Sequence, residues 1–140
     1  MKKPIIMDLG VVVLLVALAG GCQSVASSDE ELIKGTMTDW KAALTARDLD
    51  RLMVTYSEDY VSTRASDRDA VRQRMTRIFN QGWMDNVNVS LKGAEITIDG
   101  EKAEFGPVEF SSNEGMFTRQ FTLQKEYEAW LLVGSNGQEQ

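Results

Sequence analysis

The chain has no histidine among its 140 residues. Histidine is the commonest general base near neutral pH and the commonest metal ligand. Its absence excludes Ser–His and Cys–His nucleophiles and histidine-based metal sites. There is one cysteine, Cys22, which has no partner for an internal disulfide. We expect the protein to hold no metal ion and no cofactor.

Positive charge is also scarce. The chain has 15 Lys and Arg against 21 Asp and Glu, a net charge of −6, and no basic cluster is interleaved with aromatic residues. A polyanion such as DNA would be repelled by such a chain. We therefore expect no nucleic-acid partner.

The first 21 residues have the pattern of an export signal. Lys2 and Lys3 precede an apolar run at residues 9–19, and small residues follow the run. The run is shorter than the roughly 20 apolar residues that a membrane-spanning helix needs. The only cysteine, Cys22, stands directly behind two glycines.

This junction resembles the lipobox of bacterial lipoproteins, Leu18-Ala19-Gly20-Gly21-Cys22 in this chain. It departs from the family in one place, because the family prefers leucine three residues before the cysteine, where this chain has Ala19. The resemblance implies cleavage before Cys22 by signal peptidase II and a diacylglycerol on its thiol, with palmitate among the acyl chains. The alternative is an ordinary secretory signal followed by a stray cysteine.

The residue after the cysteine is Gln23 and not aspartate. By resemblance to the sorting rule of Gram-negative lipoproteins, this implies an outer-membrane protein that faces the periplasm. The membrane, reached through the lipid on Cys22, is then the expected partner.

Removal of residues 1–21 takes away two lysines and one aspartate. This leaves 119 residues with 13 basic and 20 acidic side chains, a net charge of −7. That length suffices for one domain with a core and is too short for two. We expect a lipidated tether at residues 22–30, a domain at residues 31–134 and a polar tail at residues 135–140.

The first half of the domain has helical periodicity. Ser28 begins a capping box with an acidic residue three positions on, and the apolar spacing that follows predicts a helix to about Arg47. A second, short helix is predicted after Asp48. A third begins with a capping box at Ser66 and ends at Gly82. The arginines of this third helix are interpreted as a solvated face.

The second half has a period of two, which indicates strands. A short strand is also predicted at residues 60–63, between the second and third helices. Asp99-Gly100 predicts a hairpin, and Gly106-Pro107 predicts a bulge that keeps the flanking apolar residues on one face. The last strand, residues 129–133, is apolar on both faces, so we expect it at the centre of the sheet.

This order of elements, α+β, resembles the nuclear transport factor 2-like fold. The resemblance is carried by five segments: Trp40-Lys41-Ala42-Ala43-Leu44, Arg47-Asp48-Leu49-Asp50-Arg51-Leu52, Tyr56-Ser57-Glu58-Asp59-Tyr60-Val61, Ile96-Thr97-Ile98-Asp99-Gly100 and Trp130-Leu131-Leu132. It implies three N-terminal helices packed in the concavity of a curved antiparallel sheet, a cone. Trp40 should then be buried between the first helix and the sheet.

The same resemblance bears on function. The family includes ketosteroid isomerases, polyketide cyclases and dehydratases, whose sites lie inside the cone, and many members that only bind ligands or partners. The enzymes place an Asp or His base there. This chain has no histidine, Asp99 falls in a turn, and Glu95 and Glu104 alternate with the apolar face. We expect a binding domain; an enzyme and a structural homodimer formed through the sheet are the alternatives.

One strand position suggests a binding site. Arg119 has the same parity as the apolar residues of its strand, and a guanidinium is costly to bury without a partner. Such a group could recognise the negative charge of a small apolar ligand, with Tyr56 and Tyr60 as neighbours. The alternative is a place at the rim of the cone or an ion pair with Glu109.

The lipobox interpretation makes a direct prediction. Cys22→Ser should give a protein that carries no lipid and is absent from the membrane fraction, because thioether formation requires the sulfur atom. Fractionation and labelling with palmitate measure both properties. A serine variant that still sediments with membranes and takes up label would contradict the interpretation.

Overall fold

The computed structural model describes residues 28–139, so the signal, Cys22 and Gln23 lie outside the described part. Its elements are α1 (Asp29–Ala46), α2 (Leu49–Val54), α3 (Arg68–Asn80), β1 (Asn88–Ser90), β2 (Glu95–Asp99), β3 (Lys102–Ser112), β4 (Gly115–Glu126) and β5 (Ala129–Glu139). Within this range, no helix is both long enough and apolar enough to cross a membrane.

Each helix begins at a side chain that accepts a hydrogen bond from the amide three residues on, which satisfies one of the unpaired N–H groups of the first turn. The three caps are Ser28, Asp48 and Asp67. The cap predicted at Ser66 was therefore wrong by one residue. Asp67 has an extended backbone and accepts from the Ala70 amide at 2.7 Å, and its charge also suits the positive end of the helix dipole.

The sheet is antiparallel, with the order β1-β3-β4-β5, and β2 pairs with the first half of β3. The predicted hairpin at Asp99-Gly100 joins β2 to β3. The register between β3 and β4 shifts between Phe105 and Val108, where the bulge was predicted. This shift puts the apolar residues on both sides of it on the buried face of β3. Helices followed by a curved, unclosed antiparallel sheet confirm the predicted α+β fold.

The expectations for residues 60–63 and for the last strand were wrong. Residues 60–63 form only an isolated bridge, Ser62 with Ala65. β5 lies at the edge of the sheet and not at its centre. The edge of its apolar half is nevertheless covered by the connection between α2 and α3. The Ser57 amide donates to the Leu132 carbonyl at 2.9 Å, and the Val61 amide donates to the Val133 carbonyl at 3.1 Å.

β5 also continues beyond Val133, where the last strand was expected to end. Residues of the expected polar tail pair with β4, for example Ser135 with Phe121 and Gly137 with Arg119. Hydrogen bonding of the backbone needs no apolar side chain, so a polar segment can extend a strand whose register is already set.

Trp40 is the centre of the core. It lies between α1 and the sheet with 3% of its surface exposed, as predicted. Its indole ring makes edge contacts with Phe110 and Phe121, with ring centroids 6.1 and 5.0 Å away. The buried apolar residues of the described part all lie between Ile33 and Leu132. The segment from α1 to β5 thus carries a core of its own.

This packing predicts the cost of removing the indole. Trp40→Ala should lower the free energy of unfolding by about 3–5 kcal/mol, the usual range for a buried aromatic side chain. Trp83→Ala is the matched control: Trp83 is 65% exposed, and its loss should cost about 0.5 kcal/mol or less. Urea unfolding of both variants measures the difference. Equal midpoints for the two would mean that Trp40 does not hold the core.

Candidate functional site

A cavity of about 280 Å³ lies between the helices and the concave face of the sheet. Its walls are mainly apolar. Aromatic and aliphatic side chains come from the sheet, including Phe110, Phe117 and Phe121, and from α3 and the segment after it, including Met75 and Ile78. Trp40 connects the cavity to the core. The space and lining are those of a small-molecule site.

All three candidate residues line this one cavity: Arg119, Tyr56 and Tyr60. They come from distant parts of the sequence. Arg119 lies in the middle of β4, whereas the two tyrosines come from the connection between α2 and α3. The contacts of that connection with β5 bring them together.

Arg119 faces the concavity, as its parity predicted, and its backbone pairs with that of the fully buried Val108. Its guanidinium carbon lies 5.3 Å from the centre of the Phe117 ring, a cation–π contact. Burial lowers the pKa of Arg119, and the nearby charges of Arg64 and Arg74 lower it further. Tyr60 and Tyr56 raise this pKa in part, and burial, the largest effect, disfavours the charged form.

No carboxylate of residues 28–137 lies within 4.0 Å of the Arg119 guanidinium. The pairing with Glu109, which the sequence left open, is not formed. Glu109 is exposed and sits opposite Thr118 in the ladder, on the other face of the sheet from Arg119. Among residues 28–137, no acidic side chain therefore balances the half-buried charge of Arg119.

The two tyrosines form a chain of contacts across the site. Trp40 Nε1 donates to the Tyr56 hydroxyl at 3.1 Å, the rings of Tyr56 and Tyr60 meet edge to face at 5.0 Å, and the Tyr60 hydroxyl bonds to Ser135 Oγ at 2.9 Å. Burial raises the pKa of Tyr56, so its hydroxyl keeps its proton. The described residues provide no acceptor for that proton, and Tyr56 retains a donor for a ligand.

Arg68 fixes the backbone that carries Tyr56. Its guanidinium donates to the Met53 carbonyl at 2.7 Å and to the Tyr56 carbonyl at 3.2 Å, and so satisfies groups at the end of α2. The interpretation of the α3 arginines as a solvated face was wrong for Arg68. It was also wrong for Arg74, which lines the cavity. The signal was present in the sequence, because Arg74 stands three residues after buried Val71 and so on the same helix face.

Among residues 28–137, the charged side chains that line the cavity are Arg64, Arg74 and Arg119, and none of the lining residues is acidic. Glu95, Asp99 and Glu104 are all exposed and lie outside it. Residues 28–137 also contain no group of three acidic or cysteine side chains that could hold a metal ion. The site offers three positive charges, hydroxyl groups and a large apolar surface.

No family model and no curated protein matches this sequence. Solved structures do match its fold. A nuclear transport factor 2-like protein of unknown function from Pseudomonas putida KT2440 has a TM-score of 0.66 at 14% identity, over 79% of this chain and 86% of that one. A protein of unknown function with a cystatin-like fold from Nostoc punctiforme has a TM-score of 0.63 at 15% identity, over 78% and 89%.

A further similar structure is a putative calcium/calmodulin-dependent protein kinase II association domain from Xanthomonas campestris. It has a TM-score of 0.60 at 13% identity, over 79% of this chain and 87% of that one. Identities this low carry information on the fold alone. The domain has the nuclear transport factor 2-like fold that the sequence predicted.

The hydrogen bond between Trp40 and Tyr56 gives a prediction for stability. Tyr56→Phe should lower the free energy of unfolding by about 1–3 kcal/mol, because it leaves a buried indole N–H without an acceptor. Tyr60→Phe is the control, since its partner Ser135 is only partly buried and water can replace the lost hydroxyl. Its cost should stay near 1 kcal/mol or below. A smaller cost at Tyr56 than at Tyr60, measured by urea unfolding, would contradict this assignment.

Proposed function

We propose that the domain binds a small molecule with an apolar body and a negatively charged group in the cavity of the cone. The observation that carries the proposal is Arg119, a half-buried cation on an apolar face with no carboxylate of residues 28–137 within 4.0 Å. Arginine does not lose its charge in proteins, and a desolvated charge costs free energy unless it is paired. A ligand anion would supply the missing partner.

The neighbours of Arg119 support the same ligand. Tyr56 has a hydroxyl proton to donate, and Arg74 adds a second positive charge that has no ion pair with residues 28–137. Hydrogen bonds between ionised partners are roughly twice as strong as neutral ones, and water exclusion strengthens them further. The phenylalanines around the cavity would bury the apolar body of the ligand.

The proposal includes the location expected from the sequence: a bacterial envelope protein held by a lipid on Cys22, in the outer membrane and facing the periplasm. The position of the start of α1 supports one orientation of the domain relative to the membrane. Asp29 there accepts from Trp130 Nε1 at 3.1 Å and pairs with Lys125 at 3.0 Å, so the chain enters the domain beside the hairpin between β4 and β5.

The other end of α1 lies at the cavity. Arg47, just after α1, pairs with Asp85 at 2.6 Å, next to the cavity residues Trp83 and Met84. The 18 residues of α1 separate the two ends by about 27 Å at 1.5 Å per residue. A tether at Cys22 would therefore hold this side of the cavity away from the membrane, where a ligand in the periplasm could reach it.

The binding proposal is tested with the polypeptide that begins at Gln23 and with decanoate as the probe. Arg119→Met keeps the bulk of the stem and removes the charge. It should weaken decanoate binding by about tenfold to a hundredfold, the value of a hydrogen-bonded charged pair, and leave binding of the neutral decanol nearly unchanged. Isothermal titration calorimetry measures both affinities.

Arg77→Met is the matched control. Arg77 is an exposed arginine of α3 that does not line the cavity, so both probes should bind this variant as they bind the parent. Equal decanoate affinity in the parent and in a folded Arg119→Met variant would remove Arg119 from the site. A parent that binds neither probe would overturn the proposed function.

A further inference from the structure

The cavity runs along the concave face of the sheet, across the strands, and its lining changes from polar at one end to apolar at the other. β1 and β5 lie at opposite ends of the strand order, separated by three inter-strand spacings of about 4.8 Å each. The lining residues on the β5 side carry polar groups: Tyr60, Ser62, Arg64 and Ser135. Those next to β1 are apolar: Trp83, Met84 and Val87.

Arg119 belongs to the polar side because its guanidinium leans towards β5. A Cβ atom at Gly137, its partner on β5, would come within 2.8 Å of Arg119 Nη1. The guanidinium thus occupies the space that a side chain at position 137 would fill. Gly137 has no positive φ that would require glycine, so the room that it leaves for Arg119 is its distinguishing property.

α3 covers both sides. Its first turn is tied to the Tyr56 backbone through Arg68, near the polar side. Its last turn leads into Trp83, whose amide bonds to the Ile78 carbonyl at 3.1 Å, near the apolar side. Trp83 is 65% exposed although it lines the cavity. An exposed indole beside an apolar channel offers a surface that the end of a chain could cover.

We propose that the ligand is an aliphatic anion that lies across the strands, with its charged group on the β5 side and its chain end under Trp83. This inference rests on the proposed function. Arg119, with the Tyr56 and Tyr60 hydroxyls, holds the anion, and Gly137 provides the room for this arrangement. The distance from β4 to β1 is two spacings, about 10 Å, which a medium-length aliphatic chain can span.

The direction of the ligand is tested on the parent protein with two brominated forms of decanoate, because bromine quenches tryptophan emission only near contact. The emission of Trp83 is taken as the difference between the parent and Trp83→Phe. Decanoate with bromine at the chain end should quench this emission, and decanoate with bromine beside the carboxylate should leave it largely unchanged. Calorimetry with the same two compounds establishes that each is bound.

Two results would overturn the inference and leave the proposed function standing. One is quenching of Trp83 only by the bromine beside the carboxylate, which would reverse the ligand. The other is tight binding of both compounds with no effect on Trp83. Absence of binding in calorimetry would instead overturn the proposed function, and the inference with it.

Gly137 gives an independent test. Gly137→Ala keeps every charge but displaces the guanidinium, so decanoate affinity should fall by about fivefold to tenfold, part of the value of a charged hydrogen bond, while decanol affinity is unchanged. Gly93→Ala is the control, because a Cβ atom there meets nothing within 4 Å. Unchanged decanoate affinity in a folded Gly137→Ala variant would show that this glycine does not set the position of the charge.

Discussion

The hydrogen bond from the Trp40 indole to the Tyr56 hydroxyl joins three parts of the structure: α1, the sheet and the segment that follows α2. Trp40 belongs to α1 and packs against phenylalanines of β3 and β4, and Tyr56 follows α2. Tyr56 in turn contacts Tyr60, which bonds to Ser135 of β5. The residues that make these contacts therefore belong to the core and also form one wall of the cavity. A ligand in this cavity would meet side chains whose positions are fixed by packing, which favours a preorganised site.

Much of this arrangement is local and could be predicted from the sequence. Helix starts depend on one side chain and an amide three residues away, and strands show their period of two over a few residues. The bulge at Gly106-Pro107 followed from the change in parity on either side of it, and the orientation of Arg119 followed from the parity of β4. That these positions meet in one cavity came from the resemblance in fold.

Apart from the one-residue error at the Ser66 cap, the main errors share a physical cause, because they concern contacts between segments that are not neighbours in sequence. The apolar character of β5 indicated a central strand, but the backbone of the α2–α3 connection covers its edge instead. Arg68 was assigned to a solvated face because it lies outside the apolar stripe of α3, whereas its guanidinium donates to carbonyl groups at the end of α2. Secondary-structure propensity and hydrophobic periodicity do not predict which unpaired backbone group a long side chain will contact.

The C-terminal half of β5 connects the fold to the site. Residues 135–139 were left outside the domain because they are polar, yet they extend the ladder with β4, bring Ser135 to the cavity and place Gly137 against Arg119. The ladder itself does not require glycine at position 137, since any residue other than proline supplies the same backbone groups. The glycine matters for Arg119, whose guanidinium needs the missing side chain's volume. The same segment thus completes the sheet and sets where the positive charge of the cavity lies.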